Sequence, residues 1–352
     1  MSMPDSASGS TGIQLPQASA VERATEPQAT ERLFIEALTE ALIEEMEADE
    51  RVFLLGEDVA EYGGAFKVTK GLVERFGPER VINTPISETA IVGAAIGAAL
   101  MGMRPVAEMQ YIDFITQAFD QLVTEAGKMY YRTGKPVPIV VRGASGAGVR
   151  AGPFHSAQPE AFFCHAPGLK VVAPATAYDA KGLLKAAIRD DNPVIFLEHK
   201  LLYRRVRDPV PTSDYVVELG KARIHRPGRD LVCITYGAQV HTAAEAAEEL
   251  ASEGIEMEVL DLRTLQPLDV ESIVESVSRC HRVLVCHEAN PVCGVGSEVA
   301  AVIADVAFEY LDAPIRRVTS PHTPVPYAPV LEDAYVPGKE AVLKAAKALL
   351  EW

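Results

Sequence analysis

The chain has 352 residues, with 33 Lys and Arg against 49 Asp and Glu, a formal net charge of −16 at pH 7. That balance argues against a nucleic-acid partner, because phosphate recognition needs a basic face. At 48% hydrophobic and 23% charged the composition is that of a soluble globular protein, and the length predicts two domains with ample core.

Residues 1–30 are rich in Ser, Thr, Ala, Gln and Pro and contain a single arginine, Arg23. They lack both the apolar core of a secretory signal and the Arg-rich, acid-poor character of a transit peptide. The reading is a disordered tail on a cytoplasmic protein. From Leu33 the apolar residues Phe34, Ala37, Leu38, Ala41, Leu42 and Met46 recur at helical spacing, and residues 51–56 then switch to a short buried strand. Strands at 81–83, 105–109, 137–142, 169–173 and 194–198 alternate with helices at 89–103, 113–132 and 178–190. The apolar run 90–103 falls short of the ~20 residues that a membrane span needs and reads as a buried Gly/Ala helix. Residues 208–214, Asp-Pro-Val-Pro-Thr-Ser-Asp, punctuate the pattern as a linker. After it, strands at 231–236, 256–260, 282–287 and 315–318 alternate with helices at 238–252, 269–278, 296–310 and 339–350. Strands alternating with helices predict mostly parallel sheets covered on both faces, hence two doubly wound α/β domains.

Several cofactor signatures are missing. No G-x-G-x-x-G links a strand to a helix, and there is no P-loop. Gly143-Ala-Ser-Gly146-Ala-Gly148 has the wrong spacing, and Gly294-Val-Gly296 reads as an ordinary helix entry. The five cysteines form no C-x-x-C pair, so they are expected to be reduced thiols. The run from Cys280 and His281 through Cys286 and His287 to Cys293 alternates like a strand, which scatters its ligands over two faces rather than around a metal. Glu57-Asp58 reads as a solvated turn at a strand end.

Three residues carry a chemical reading. In Asn83-Thr-Pro-Ile-Ser-Glu88 a strand and short loop deliver a carboxylate into the first turn of the Gly/Ala helix. The plain reading is Ser87 as cap and Glu88 as a dipole-favoured acid; the functional one is a desolvated carboxyl tuned to exchange protons. His155 follows a Gly-rich stretch and is expected on a loop. Phe114 starts a helix after a strand, at the sheet edge where ligands bind.

Taken in order, Gly56-Glu-Asp-Val, Tyr62-Gly-Gly-Ala-Phe-Lys-Val, Asn83-Thr-Pro-Ile-Ser-Glu88, Ala118-Phe-Asp-Gln121, His155-Ser-Ala-Gln-Pro-Glu160, Pro167-Gly-Leu-Lys-Val-Val172 and Asp261-Leu-Arg-Thr-Leu-Gln-Pro-Leu268 resemble the β chain of the thiamine-diphosphate-dependent 2-oxo acid dehydrogenases. That family includes the first components of the pyruvate, acetoin and branched-chain complexes. The resemblance implies a pyrimidine-binding domain over residues 31–208, a linker over 209–227 and a transketolase-like C-terminal domain over 228–352. It implies that Glu88 hydrogen-bonds the cofactor's aminopyrimidine, that Phe114 packs on it and Ile86 lines it, and that His155 faces substrate and lipoyl group as an acid or base. It further implies a structural K⁺ touching Ile139, Ala187, Ile188, Asp190 and Asn192. The Gly-Asp-Gly run with which such enzymes anchor the diphosphate and Mg²⁺ is absent. The resemblance therefore implies an α chain carrying that motif, an α₂β₂ heterotetramer, and a lipoyl-bearing acyltransferase docked on the C-terminal domain. On substrate, Tyr62–Val68 looks like pyruvate members, Glu198-His-Lys-Leu-Leu-Tyr203 like acetoin members, and Pro159-Glu160-Ala161-Phe162-Phe163 like branched-chain members. Pyruvate or acetoin is the expectation. A non-catalytic assembly or regulatory subunit, and a fragment of another transketolase-type enzyme, are the alternatives.

Overall fold

A computed structural model describes residues 29–352; of the tail expected over 1–30, residues 1–28 lie outside the described residues and 29–30 already belong to a strand. In chain order the first block is β1 (Ala29–Leu33), α1 (Phe34–Ala48), β2 (Val52–Gly56), α2 (Leu72–Phe76), β3 (Val81–Asn83), α3 (Glu88–Leu100), β4 (Arg104–Met109), α4 (Gly127–Thr133), β5 (Val140–Ser145), α5 (Glu160–Cys164), β6 (Lys170–Val172), α6 (Ala177–Arg189), β7 (Val194–His199) and β8 (Arg207–Pro211). Strands β6, β7, β5, β4, β2 and β3 lie side by side in that order, all parallel.

Strands β2, β5 and β7 are buried from end to end because each face of the sheet has its own cover. Leu54, Val106, Val140 and Phe196 pack with Phe34, Leu38 and Leu42 of α1 and Leu183 and Leu184 of α6. The alternate residues Phe53, Leu55, Ala107, Val141 and Ile195 meet Ile91, Val92, Ala95 and Ile96 of α3. The chain leaves β2 for β3 on one side and returns to β4 on the other, so a crevice opens beyond the carboxyl end of β2.

The second block is β9 (Arg223–Arg226), β10 (Leu231–Thr235), α7 (Gln239–Ser252), β11 (Met257–Asp261), β12 (Thr264–Gln266), α8 (Val270–Cys280), β13 (Val283–His287), α9 (Val295–Val306), β14 (Arg316–Thr319), α10 (Pro329–Tyr335) and α11 (Lys339–Leu350). Its sheet runs β14-β13-β10-β11-β9, with only β9 antiparallel. Residues of α7 and α11 pack on one face of it. The other face, with α8 and α9, merges into the layer around α3, so Met109, Phe163, Tyr236, Leu260 and Val285 share one apolar cluster across both blocks. Strand β12 completes this union by pairing antiparallel with β6 at the edge of the first sheet.

Two segments differ from the sequence expectation. Residues 113–132 are not one α-helix but a 3-10 helix (Ile112–Ala118), a π-helical turn (Gln121–Ala126) and α4. Local polar bonds compete with the α ladder there: Thr116 Oγ1 donates to the Asp113 carbonyl at 3.0 Å. Part of 208–214 is strand rather than linker, β8 pairing antiparallel with β1. Pro209 and Pro211 share a parity, so both missing N–H groups fall on one side and the other side remains free to pair.

Candidate active site

At the carboxyl end of β2 the Gly56 carbonyl accepts the Thr84 N–H at 2.9 Å, which sets the loop that opens α3. Glu88 is the first residue of α3 and half-buried. The capping expectation is corrected: Ser87 makes no side-chain cap bond, which leaves the helix N-terminus facing the crevice. Ile86, on the same loop, is 84% exposed. Next to Glu88 lies Glu57, one residue beyond β2. It is buried rather than solvated, and its Oε1 has no hydrogen-bond partner. Burial pushes its carboxyl above the usual range, and the neighbouring Glu88 and Asp58 push it further. Sequence reading missed Glu57; its signal was an acid adjoining a wholly apolar strand.

The carboxyl end of β4 supplies the second wall. Thr89 Oγ1 donates to the Gln117 carbonyl at 2.7 Å, holding the start of α3 against the 3-10 helix that carries Phe114. The ring of His155 meets Tyr111 edge-on at 4.5 Å between centroids and Phe114 at 5.6 Å. Phe66 adds a further edge contact to Tyr111 at 5.4 Å. Asp113 locks the arrangement: its Oδ1 accepts the N–H groups of Ser156 at 3.1 Å and Ala157 at 2.8 Å. The structure thus brings Phe114 and His155 together and adds Tyr111 and Phe66, which come from separate segments and meet only in the fold.

Behind this wall, in the sheet, Arg142 is fully buried between two carboxylates. It forms a bidentate pair with Glu198 at 2.5 and 2.6 Å and also bonds Glu108, while Tyr203 donates to Glu198 at 2.7 Å. The acetoin-like stretch Glu198–Tyr203 is therefore largely core polar structure. At the boundary between the blocks Tyr236 donates to Glu160 at 2.6 Å. Burial, more than any other influence, pushes the Glu160 carboxyl up to about 7.

Ile139, Ala187, Ile188, Asp190 and Asn192 also converge, where α6 ends and β5 and β7 begin. The Ile139 carbonyl accepts the Val194 N–H at 2.9 Å, and Asp190 Oδ1 accepts from the Asn192 backbone and side chain at 2.8 and 2.9 Å. Arg104 already donates to the Ile188 and Asp190 carbonyls at 2.8 and 2.6 Å, and Lys170 pairs with the Asp190 carboxylate. A cation would meet these two carbonyls only through their second lone pairs.

The cysteines are free, and Cys233, Cys280 and Cys286 are buried. Among the described residues no helix is long and apolar enough to cross a membrane.

The transketolase pyrimidine-binding domain family matches residues 32–206, and the transketolase C-terminal domain family matches residues 220–342. The chain is 49% identical over 322 residues to the 2-oxoisovalerate dehydrogenase subunit beta of Bacillus subtilis (strain 168), covering 91% of this chain and 98% of that one. It is 46% identical over 316 residues to the pyruvate dehydrogenase E1 component subunit beta of Rhizobium meliloti (strain 1021), covering 89% and 69%. It is 46% identical over 329 residues to the acetoin:2,6-dichlorophenolindophenol oxidoreductase subunit beta of Bacillus subtilis (strain 168), covering 90% and 96%. Among solved structures, a split-gene transketolase in an inactive beta4 tetramer matches with a TM-score of 0.73 at 24% identity, over 91% of this chain and 98% of that chain. That likeness is one of fold.

Proposed function

The chain belongs to the β subunits of the thiamine-diphosphate-dependent 2-oxo acid dehydrogenases, and on that premise we propose that Glu88, Phe114, Ile86 and His155 form its half of an active site completed by an α subunit. The observation that carries this reading is the crevice itself. Glu88 at a helix N-terminus, the partnerless Oε1 of buried Glu57, and the Tyr111–Phe114–His155 wall all face the carboxyl end of one parallel sheet. An orphaned carboxyl oxygen next to an aromatic wall fits a flat, nitrogen-bearing pyrimidine ring.

When bound, the cofactor supplies the nucleophilic carbon and the electron sink for loss of CO₂. Glu88 accepts a hydrogen bond from the ring and moves the proton at its Oε. Burial, with Glu88 and Asp58 close by, shifts Glu57 toward its protonated form and eases the crowding of carboxyls there. Phe114 and Ile86 orient the ring and keep water from it. His155, fixed by edge contacts to Tyr111 and Phe114, would give a proton to the sulfur set free when a lipoyl disulfide opens to take the acyl group on its other sulfur.

The diphosphate and Mg²⁺ are assigned to the α subunit, since the Gly-Asp-Gly run is absent from this sequence. The face of α3 with exposed Gly93, Ala94 and Gly97 supports an α₂β₂ heterotetramer, because small residues let another backbone approach closely. The C-terminal domain is the proposed docking surface for the lipoyl-bearing acyltransferase. A structural K⁺ is proposed at Ile139, Ala187, Ile188, Asp190 and Asn192, sharing the site with Arg104. Among the three substrate-like motifs, Tyr62–Val68 reaches the aromatic wall through Phe66, and Tyr203 of the acetoin-like stretch touches the same ring at 5.3 Å, whereas Glu160 is buried in a polar seam. This supports pyruvate or acetoin, and the likeness of Tyr62–Val68 to pyruvate members puts pyruvate first.

The test is Glu88→Gln in the complex with the α partner. It should lower thiamine-diphosphate-dependent dye reduction by at least ~100-fold, within the range of general acid–base contributions, and leave the unfolding midpoint unchanged. Full turnover by this variant would revive the non-catalytic subunit.

A further inference from the structure

We infer that Glu332, in α10 of the C-terminal domain, is a positioning residue for His155; the inference rests on the proposed role of His155. The residues between β5 and His155 form a loop whose base is closed by the Gly146 N–H donating to the Ala157 carbonyl at 3.1 Å. Beyond that base, the amides of Ala147, Gly148 and Arg150 are bonded from the C-terminal domain. Glu332 is fully buried, and its Oε1 accepts the Gly148 N–H at 3.0 Å and the Arg150 N–H at 3.2 Å, while its Oε2 accepts the Arg150 N–H at 3.1 Å and the Arg150 side chain at 2.7 Å. Arg150 is held in the left-handed region at φ 64 and also reaches Asp333 at 2.7 Å. One carboxylate therefore gathers two backbone donors and a guanidinium from the loop.

A second acid of the same domain works alongside. Glu288 Oε1 accepts the Ala147 N–H at 2.5 Å, and its Oε2 meets His199 at 2.8 Å, while buried Lys200 bonds the Gly146 carbonyl. Further along, Gly152 has φ 70, and a Cβ there would lie 2.1 Å from the Tyr327 ring, so the C-terminal domain abuts the loop just before His155. The opposite end is fixed from the first domain by Asp113. His155 thus sits between an anchor of its own domain and a clamp of the other. Charge-assisted bonds to backbone N–H groups are about twice as strong as neutral ones. Their loss frees the backbone of residues 147–155, and with it the edge contact of His155 to Tyr111 and Phe114.

The test uses the full chain in complex with its α partner. Hydrogen exchange of the amides in 147–155 is measured in wild type and Glu332→Gln, and turnover is compared across Glu332→Gln, His155→Ala and the double variant. Exchange should quicken by about tenfold or more, as expected for loss of a buried charged acceptor. The double variant should be no slower than His155→Ala, because both changes remove the same contribution. Unchanged exchange, or effects on turnover that multiply, would overturn the inference. Arg150→Ala, altering a 38% exposed side chain, serves as a second variant should Glu332→Gln not fold. It should quicken the same amides, and no change in it counts equally against the clamp. If His155→Ala keeps full turnover, the role of His155 falls while the exchange result still decides the clamp.

Discussion

Replacing Glu160 by glutamine isolates the cost of burying a carboxyl at the junction of the two domains. Glu160 is fully buried, its Oε1 accepts the Tyr236 hydroxyl at 2.6 Å, and its Oε2 has no partner. Burial raises its titration from 4.5 to about 7, with the Tyr236 bond opposing and nearby Glu288 adding a little. The sign follows from proton linkage. Below about 4.5 both folded and unfolded chains carry the proton and the group imposes no penalty. Between about 4.5 and 7 the unfolded chain releases it while the folded chain keeps it, so stability declines; above 7 the loss is complete. At roughly 1.4 kcal/mol per pH unit this amounts to about 3 kcal/mol. Glu160→Gln keeps an acceptor for Tyr236 and does not titrate. Urea unfolding of both proteins at fixed chain and partner concentrations, from pH 4.5 to 7.5, should show Glu160→Gln gaining about 3 kcal/mol on wild type across the window. Titrating groups that do not interact with Glu160 cancel in that difference. A difference that stays constant with pH would refute the burial argument.

Arg142→Met tests the buried ion cluster in the sheet. Removing the guanidinium leaves Glu108 and Glu198 facing each other without a counter-charge, which should cost about 3–5 kcal/mol in urea unfolding; a loss under about 1 kcal/mol would contradict the pairing. Two glycines separate close approach from backbone strain. Gly168→Ala would place a Cβ 1.8 Å from the Gly127 carbonyl at φ +89, whereas Gly254→Ala at φ +83 meets nothing within 4 Å. The second should cost about 1–2 kcal/mol and the first several-fold more in the same assay; equal costs would contradict the packing of that turn.

The sheets were legible in the sequence because the central strands are buried on both faces and most of them open on or contain short apolar runs such as Val52–Leu55, Val194–Leu197 and Val283–Val285. The expected strand at 51–56 is β2, and that at 194–198 lies within β7. The helices α1, α6, α7 and α8 were legible from apolar spacing that puts one stripe on a sheet. The helical region after β4 was misread because Thr116 and Asp113 spend their side chains on local and loop backbone groups, which periodicity does not register. Pro209 and Pro211 marked a break where a two-stranded edge ribbon tolerates them. No local pattern announced that β12 would cross to the other sheet, since that pairing is set by tertiary packing. At the site, Glu88, Phe114 and His155 were singled out by their places at strand ends and in a glycine loop. Glu57, Tyr111 and Phe66 join them only through the convergence of β2 and β4. Glu332 lies some 180 residues from the loop it holds, a separation that sequence spacing cannot bridge.

We propose that this chain holds one half of a thiamine-dependent site and works only with its partner. Dye reduction by the chain purified from its native cells with its adhering partner, and by the chain alone, tests it most directly, using pyruvate, a branched-chain 2-oxo acid and acetoin in turn. Turnover is expected only when partner, thiamine diphosphate and Mg²⁺ are all present, with pyruvate preferred. Turnover by the isolated chain, or by the complex freed of thiamine diphosphate, would contradict it.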